Sequence, residues 1–104
     1  MSEEEQLSWY RDHWGRILET GEAPVLVSEF GVAHQASEKD RRWFETLAGY
    51  FEATNADYSY WPVNGGPKPN GHDGGYGLLD HTWEPRAKDW RRMALQLPST
   101  RADL

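Results

Sequence analysis

The sequence predicts an α/β fold in which helices alternate with parallel strands. Three observations predict it. Stretches with apolar residues at helical spacing alternate with short apolar runs. The Val25-Leu26-Val27 run is continuous rather than alternating, the pattern of a strand buried on both faces. Val and Ile together number only five, too few for an all-β sandwich of about seven strands. The order helix, strand, helix, strand, long loop, helix implies parallel strands joined by crossover helices.

The first helix is expected over 3–20. Ser2 with Glu5 three residues later is a capping-box pattern, and Glu3, Glu4 and Glu5 suit the positive end of the helix dipole. Leu7, Tyr10, Trp14, Ile17 and Leu18 make its apolar face, and Gly21 is a natural stop. The first strand is expected over 24–31, ending on the carboxylate of Glu29 and then a glycine. Ser37 can cap a second helix over 38–54, with Trp43, Phe44, Leu47, Tyr50, Phe51 and Thr54 inward and Glu38, Lys39, Asp40, Arg41 and Glu45 outward. A second strand is expected over 57–63, finishing at Pro62, which cannot donate to a ladder. Residues 64–75 hold five of the ten glycines and read as an irregular loop. A short ordered return follows at 76–79. Pro85 suits the first turn of a last helix over 85–97, with Trp90, Met93, Ala94 and Leu97 inward. Residues 1–8 and 98–104 are expected to fray.

Composition narrows the function. The 104 residues amount to one small segment. The absence of cysteine excludes a disulfide framework and thiolate chemistry. A net charge of -6 argues against a dedicated nucleic-acid binder. No apolar run approaches the roughly 20 residues that span a bilayer, and the acidic start is not a secretory leader. Leu, Ile, Val and Phe total 17 residues, below the roughly 20% level associated with disorder. The six tryptophans and five tyrosines compensate, because each buried ring removes roughly 150–250 Å² from water. The core is therefore expected to be built from rings.

Glu29 is the first candidate for chemistry. A charge at the end of an apolar strand is costly unless it is used, and the C-terminal ends of parallel strands are where barrel active sites are assembled. The plain alternative is a carboxylate that caps a loop or pairs with an arginine. Trp61, at the matching end of the second strand, can offer a flat apolar face to a sugar ring or simply pack in the core. Core packing is the expectation for Trp9, Trp14, Trp43, Trp83 and Trp90. Asn64 can reach the same site as Trp61, or serve with Gly65 only as a turn former, as can Asn70-Gly71. His72-Asp73 reads as a solvated turn. His13, His34, His72 and His81 form no metal-ligand spacing, so no metal and no cofactor are expected. The glycine-rich loop lacks the Lys-Ser/Thr of a phosphate cradle.

The run Ala23-Pro-Val-Leu-Val-Ser-Glu29-Phe-Gly31 resembles the seventh-strand motif of glycoside hydrolase family five, the cellulase family. Trp43 to Tyr50 resembles the helix after that strand, and Tyr60-Trp61-Pro-Val-Asn64-Gly65 resembles the eighth-strand motif. Tyr76-Gly77-Leu78-Leu79 and Trp83 resemble the closing segment before the last helix, and Trp14-Gly15 to Leu18 fits the helix before strand seven. Together these segments span about residues 9–97. The resemblance implies a partial (β/α)8 TIM barrel: the C-terminal segment covering the sixth helix, seventh strand, seventh helix, eighth strand and eighth helix. It implies a retaining O-glycosyl hydrolase acting on β-linked glucan-type poly- or oligosaccharide. Glu29 would be the catalytic nucleophile, and Trp61 the floor of the sugar site with Asn64 beside it. Ser28 stands where the family commonly has glycine.

The retaining mechanism needs two carboxyl groups roughly 5–5.5 Å apart. The family's acid/base sits in an Asn-Glu-Pro-like motif, and no Asn-Glu pair exists here; Glu84-Pro85 lies at the start of the last helix. The Arg of the family's second strand and the His and Tyr of its sixth have no counterpart either. The chain by itself is therefore expected to be inactive or nearly so. Asp73 and Asp80 are weak substitutes for the missing carboxylate. Two strands alone would leave both sheet edges open, with Val25, Val27, Tyr58 and Tyr60 uncovered on the barrel side. Self-association or pairing with an N-terminal barrel portion is expected. The alternative is a non-catalytic carbohydrate-binding or structural α/β fragment. Localisation is open: secreted if a longer parent carries a signal peptide, otherwise cytoplasmic.

Overall fold

A computed structural model of the chain describes residues 1–64 and 75–97. Gly65, Asn70-Gly71, His72-Asp73 and the end expected to fray, 98–104, lie outside the described residues.

The first helical stretch is interrupted once. It comprises α1 (Glu3–Tyr10), one π-helical turn (Arg11–Gly15) and α2 (Arg16–Glu19). Ser2 caps α1 as expected, its Oγ accepting the Glu5 N–H at 3.1 Å. Residues 3–8 are thus helical rather than frayed. Gln6 ties them down, donating from Nε2 to the Tyr10 hydroxyl at 2.7 Å and to the Trp43 carbonyl at 2.9 Å. The π turn was not foreseen, because the apolar spacing does not register a single wide turn. Gly15 closes it, and a Cβ there would overlap the Tyr50 hydroxyl. Gly21, at φ 75°, ends the stretch in the left-handed conformation that glycine adopts most readily.

Helix α3 (Glu38–Thr54) starts on Ser37, whose Oγ accepts the Asp40 N–H at 3.2 Å, and ends on left-handed Asn55. It buries Phe44, Leu47, Ala48, Tyr50 and Phe51. Trp43, expected on this stripe, is exposed instead, since one residue of helix turns it about 100° away from Phe44.

Strands β1 (Leu26–Phe30) and β2 (Asp57–Tyr60) pair in parallel, Leu26 with Asp57, Val27 with Tyr58 and Phe30 with Tyr60. Val27, Phe30, Tyr58 and Tyr60 pack onto the core that α3 covers. Leu26, Ser28, Glu29, Asp57 and Ser59 are exposed. Of Val25, Val27, Tyr58 and Tyr60, expected to face an uncovered barrel side, the last three instead go to the helix face, Val25 is half-buried ahead of β1, and Leu26 with the small and charged residues is left open. Among the described residues the sheet has two strands, so each has a free edge.

The core is built from rings, as the composition implied. Phe30 lies 5.8, 5.1, 5.4 and 5.5 Å, centroid to centroid, from Phe44, Phe51, Tyr58 and Tyr60. Tyr50 joins Tyr10 and Trp14 to the same cluster. Burial raises the hydroxyl pKa of Tyr10, Tyr50 and Tyr60 above 10.0. The folded state therefore holds protons that the unfolded chain releases. Stability is full below pH 10 and falls as pH rises through the folded-state values. Urea melts across pH 8–11 will show this decline, and Tyr10→Phe will make it shallower.

The last helix is the largest departure. Helix α4 spans only Trp90–Ala94, not 85–97. Pro85 bridges antiparallel to Leu79, Lys88 takes a positive φ of 50°, and Asp89 caps the helix by accepting the Arg91 N–H. Gln96, at φ 56°, stops it. Met93 is exposed, while Leu95, Arg91 and Arg92 are buried. Trp14 and Trp90 pack against the core as expected, but Trp9 and Trp83, like Trp43, are exposed.

Candidate active site

The parallel register fails between Val27 and Phe30, where Ser28 and Glu29 oppose the single residue Ser59. Such a bulge re-aims side chains and bends the strand. Here it leaves Glu29 exposed at the C-terminal end of β1. Trp61 follows β2, and its N–H donates to the Phe30 carbonyl at 2.8 Å. The ladder thus runs one step past β2, and the backbones of Glu29 and Trp61 end up at the same edge of the same sheet. The Trp61 side chain is 63% exposed. Its peptide bond to Pro62 is cis. Asn64, half-buried, bridges in parallel to Leu79, and the Leu79 N–H donates to the Val63 carbonyl at 2.8 Å. The three predicted site residues therefore share the C-terminal end of the sheet.

Gly31 is required there by contact. A Cβ on it would collide with the Trp61 carbonyl oxygen, and backbone cannot swing aside. We expect Gly31→Ala to cost about 1–3 kcal/mol, read as a lower Tm with accompanying changes in Trp61 emission.

The end of the sheet is locked by a residue that sequence reasoning passed over. The Arg91 side chain is fully buried and faces the equally buried Asp89 carboxylate, with Nη2 2.6 Å from Oδ2 and Nε 2.9 Å from Oδ1. Nη1 donates to the carbonyls of Val32 at 2.7 Å and Tyr76 at 2.8 Å and to the Tyr60 hydroxyl at 2.9 Å. Nη2 donates to the Gly77 carbonyl at 2.9 Å. One guanidinium thereby ties the exits of both strands to the returning segment. The Tyr60 hydroxyl sits among the same groups, 2.8 Å from the Val32 carbonyl and 2.7 Å from that of Tyr76, and burial outweighs the Arg91 charge in raising its pKa. The available signal was the Asp89-Trp90-Arg91 triplet, but the same spacing occurs in exposed pairs, and one sequence does not separate the two.

Asp57 is also on the open side but pairs with Leu26, three residues before Glu29, roughly 10 Å along the strand. The Asp80 carboxylate accepts from the Thr82 hydroxyl at 2.6 Å and the Thr82 and Glu84 amides at 2.8 and 3.1 Å. These bonds, the Thr82 hydroxyl first, lower its pKa below 3.8. Among the described residues no cluster of three His, Cys, Asp or Glu could hold a metal ion, and no helix is long and apolar enough to cross a membrane.

One end of the parallel sheet thus carries a carboxylate and an exposed tryptophan. Over part of its length the chain is similar in sequence to two endoglucanases. It is 35% identical over 75 residues to Endoglucanase G of Acetivibrio thermocellus, covering 72% of this chain and 12% of that protein. It is 38% identical over 79 residues to an endoglucanase of Paenibacillus polymyxa, covering 73% of this chain and 19% of that protein. The chain thus spans less than a fifth of the length of either relative. No family model matches it, and no solved structure does.

Proposed function

We propose that this chain is the nucleophile-bearing C-terminal part of a retaining β-glucan hydrolase of glycoside hydrolase family five. Its two strands and helices would be the seventh and eighth strands, with their flanking helices, of a (β/α)8 barrel. The observation that carries the reading is the placement of Glu29 and Trp61 at the carboxyl ends of adjacent parallel strands, the end at which barrel enzymes do their chemistry. The relationship to endoglucanases supports it.

In this mechanism Glu29 attacks the anomeric carbon, the glycosidic bond breaks, and a glycosyl ester forms on its carboxylate. A second carboxyl group protonates the departing oxygen and then activates the water that hydrolyses the ester. Trp61 would stack on the apolar face of the sugar at the cleavage point, and Asn64 would hydrogen-bond it. Asp57, some 10 Å from Glu29 along the strand, is beyond the roughly 5–5.5 Å that the retaining mechanism requires. The acid/base is accordingly expected from a barrel portion docking against the open sheet face and edges. Without that portion, the same free edges favour self-association.

The test has two arms. The purified chain alone will not release aglycone from an aryl β-cellobioside; clear turnover abolished by Glu29→Gln would overturn the need for a partner. Co-expressed with the Paenibacillus polymyxa endoglucanase from which the matching region has been removed, the chain will gain turnover that Glu29→Gln removes. A stable, full complex whose activity ignores Glu29→Gln would overturn the assignment itself.

A further inference from the structure

Trp83 was expected in the core and is 62% exposed. It sits at φ 68°, in the left-handed region, an arrangement rarely kept by a bulky residue unless its surroundings enforce it. The surroundings do so here. The Asp80 carboxylate collects three hydrogen bonds from Thr82 and Glu84. The Trp83 N–H donates to the Asp80 carbonyl at 3.0 Å, and the Asp80 N–H to that of Glu84 at 2.9 Å. A tight, self-bonded turn thus holds a large apolar ring 62% exposed, outside the core cluster of the described residues.

This turn belongs to the ribbon that leaves the candidate active site. Asn64 bridges to Leu79, and Leu79 bridges to Pro85. The backbones of Asn64 and Pro85 are therefore two strand spacings apart, about 10 Å, with Trp61 three residues before the first and Trp83 two before the second. Tyr76, also 50% exposed, comes three residues before the middle bridge residue, Leu79. Three exposed rings, Trp61, Tyr76 and Trp83, thus accompany three bridged segments in turn, with His81, Thr82 and Glu84 exposed beside the last. A linear sugar chain, apolar on its ring faces and polar at its rims, matches that pattern.

We propose that Trp83 is a second stacking platform for the β-linked glucan chain, extending the site from Trp61 along the ribbon. The proposal rests on the glycan reading above and adds to it a contact remote from the cleavage point. The preformed turn keeps the ring in its binding orientation, so little freedom is lost when a sugar docks.

Glycine relaxes φ 68° without removing the turn, so Trp83→Gly separates binding from folding. Calorimetric titration of the full chain with cellohexaose and cellobiose, alongside thermal melts, gives the readout. We expect Trp83→Gly to weaken cellohexaose binding about tenfold, to leave cellobiose within about twofold, and to hold or raise Tm. Cellohexaose binding equal to wild type would overturn the platform while leaving the glycan reading intact. A fall in Tm together with affinity would make the ring a folding element and also overturn it. Failure of the wild-type chain to bind either sugar, both alone and in the co-expressed complex, would overturn the glycan reading, and the platform with it.

Discussion

Replacing Arg91 with methionine is expected to cost about 3–5 kcal/mol, a large part of the roughly 5–15 kcal/mol that holds a small fold together. Methionine roughly fills the volume but donates nothing. The Asp89 carboxylate, wholly buried, would lose its partner. The carbonyls of Val32, Tyr76 and Gly77 would lose the guanidinium together, leaving the single Tyr60 hydroxyl proton to serve Val32 or Tyr76 and nothing from Arg91 for Gly77. The cost comes from these stranded groups more than from the lost attraction, because unmet polar groups in the interior are penalised individually. Thermal melts should show Tm falling by roughly 15–30 °C. The double variant Asp89→Asn, Arg91→Met should be less destabilised than the two single losses added, since one substitution removes the charge that the other strands. Strict additivity would mean that the pair is not coupled. The segments Arg91 joins all meet at the site, so milder variants should also blur the environment of Trp61.

The second large effect concerns Glu29. In a complex assembled with the barrel portion proposed above, Glu29→Gly is expected to lower kcat on the order of 10⁴-fold or more. Glu29 is exposed at a strand end, and its loss should hardly move Tm. Sodium azide should then restore turnover. The small anion enters the space vacated by the carboxylate, attacks the anomeric carbon in its place, and leaves as the glycosyl azide of inverted configuration. A carboxylate that only oriented a loop, or that served as the acid/base, would not give that product. Recovery of the azide with retained configuration would assign Glu29 to the acid/base role, and no rescue at all would argue against direct attack on the sugar.

Local chemistry explains which features were readable beforehand. Ser2 and Ser37 are caps because a short side-chain oxygen reaches a free amide two or three residues on, and that relation lies wholly within the sequence. Gly21 ends a helix for an equally local reason. The alternating helices and strands, the parallel pairing and the ring-built core follow from periodicity and composition. Glu29, Trp61 and Asn64 were found as candidates because each ends or closely follows a strand.

The remaining features depend on contacts between residues far apart in sequence. Whether Val27, Tyr58 and Tyr60 face helix or solvent depends on which side of the sheet α3 covers, and period-two alternation is the same for both choices. Three tryptophans expected inside are outside because a ring's burial is decided by its neighbours in space. The last helix is short because Lys88 and Gln96 take left-handed conformations and Pro85 is held by Leu79, a competition that helical propensity does not contain. Arg91 is the sharpest case. By composition it is one more solvated cation, and only the convergence of Asp89, Val32, Tyr60, Tyr76 and Gly77 around it makes burying its charge favourable. Elements and candidate residues were thus determined by the sequence alone, through interactions a few residues long. Their faces, their exposure and the clamp that joins them were decided by the tertiary structure, because desolvation depends on everything that surrounds a group.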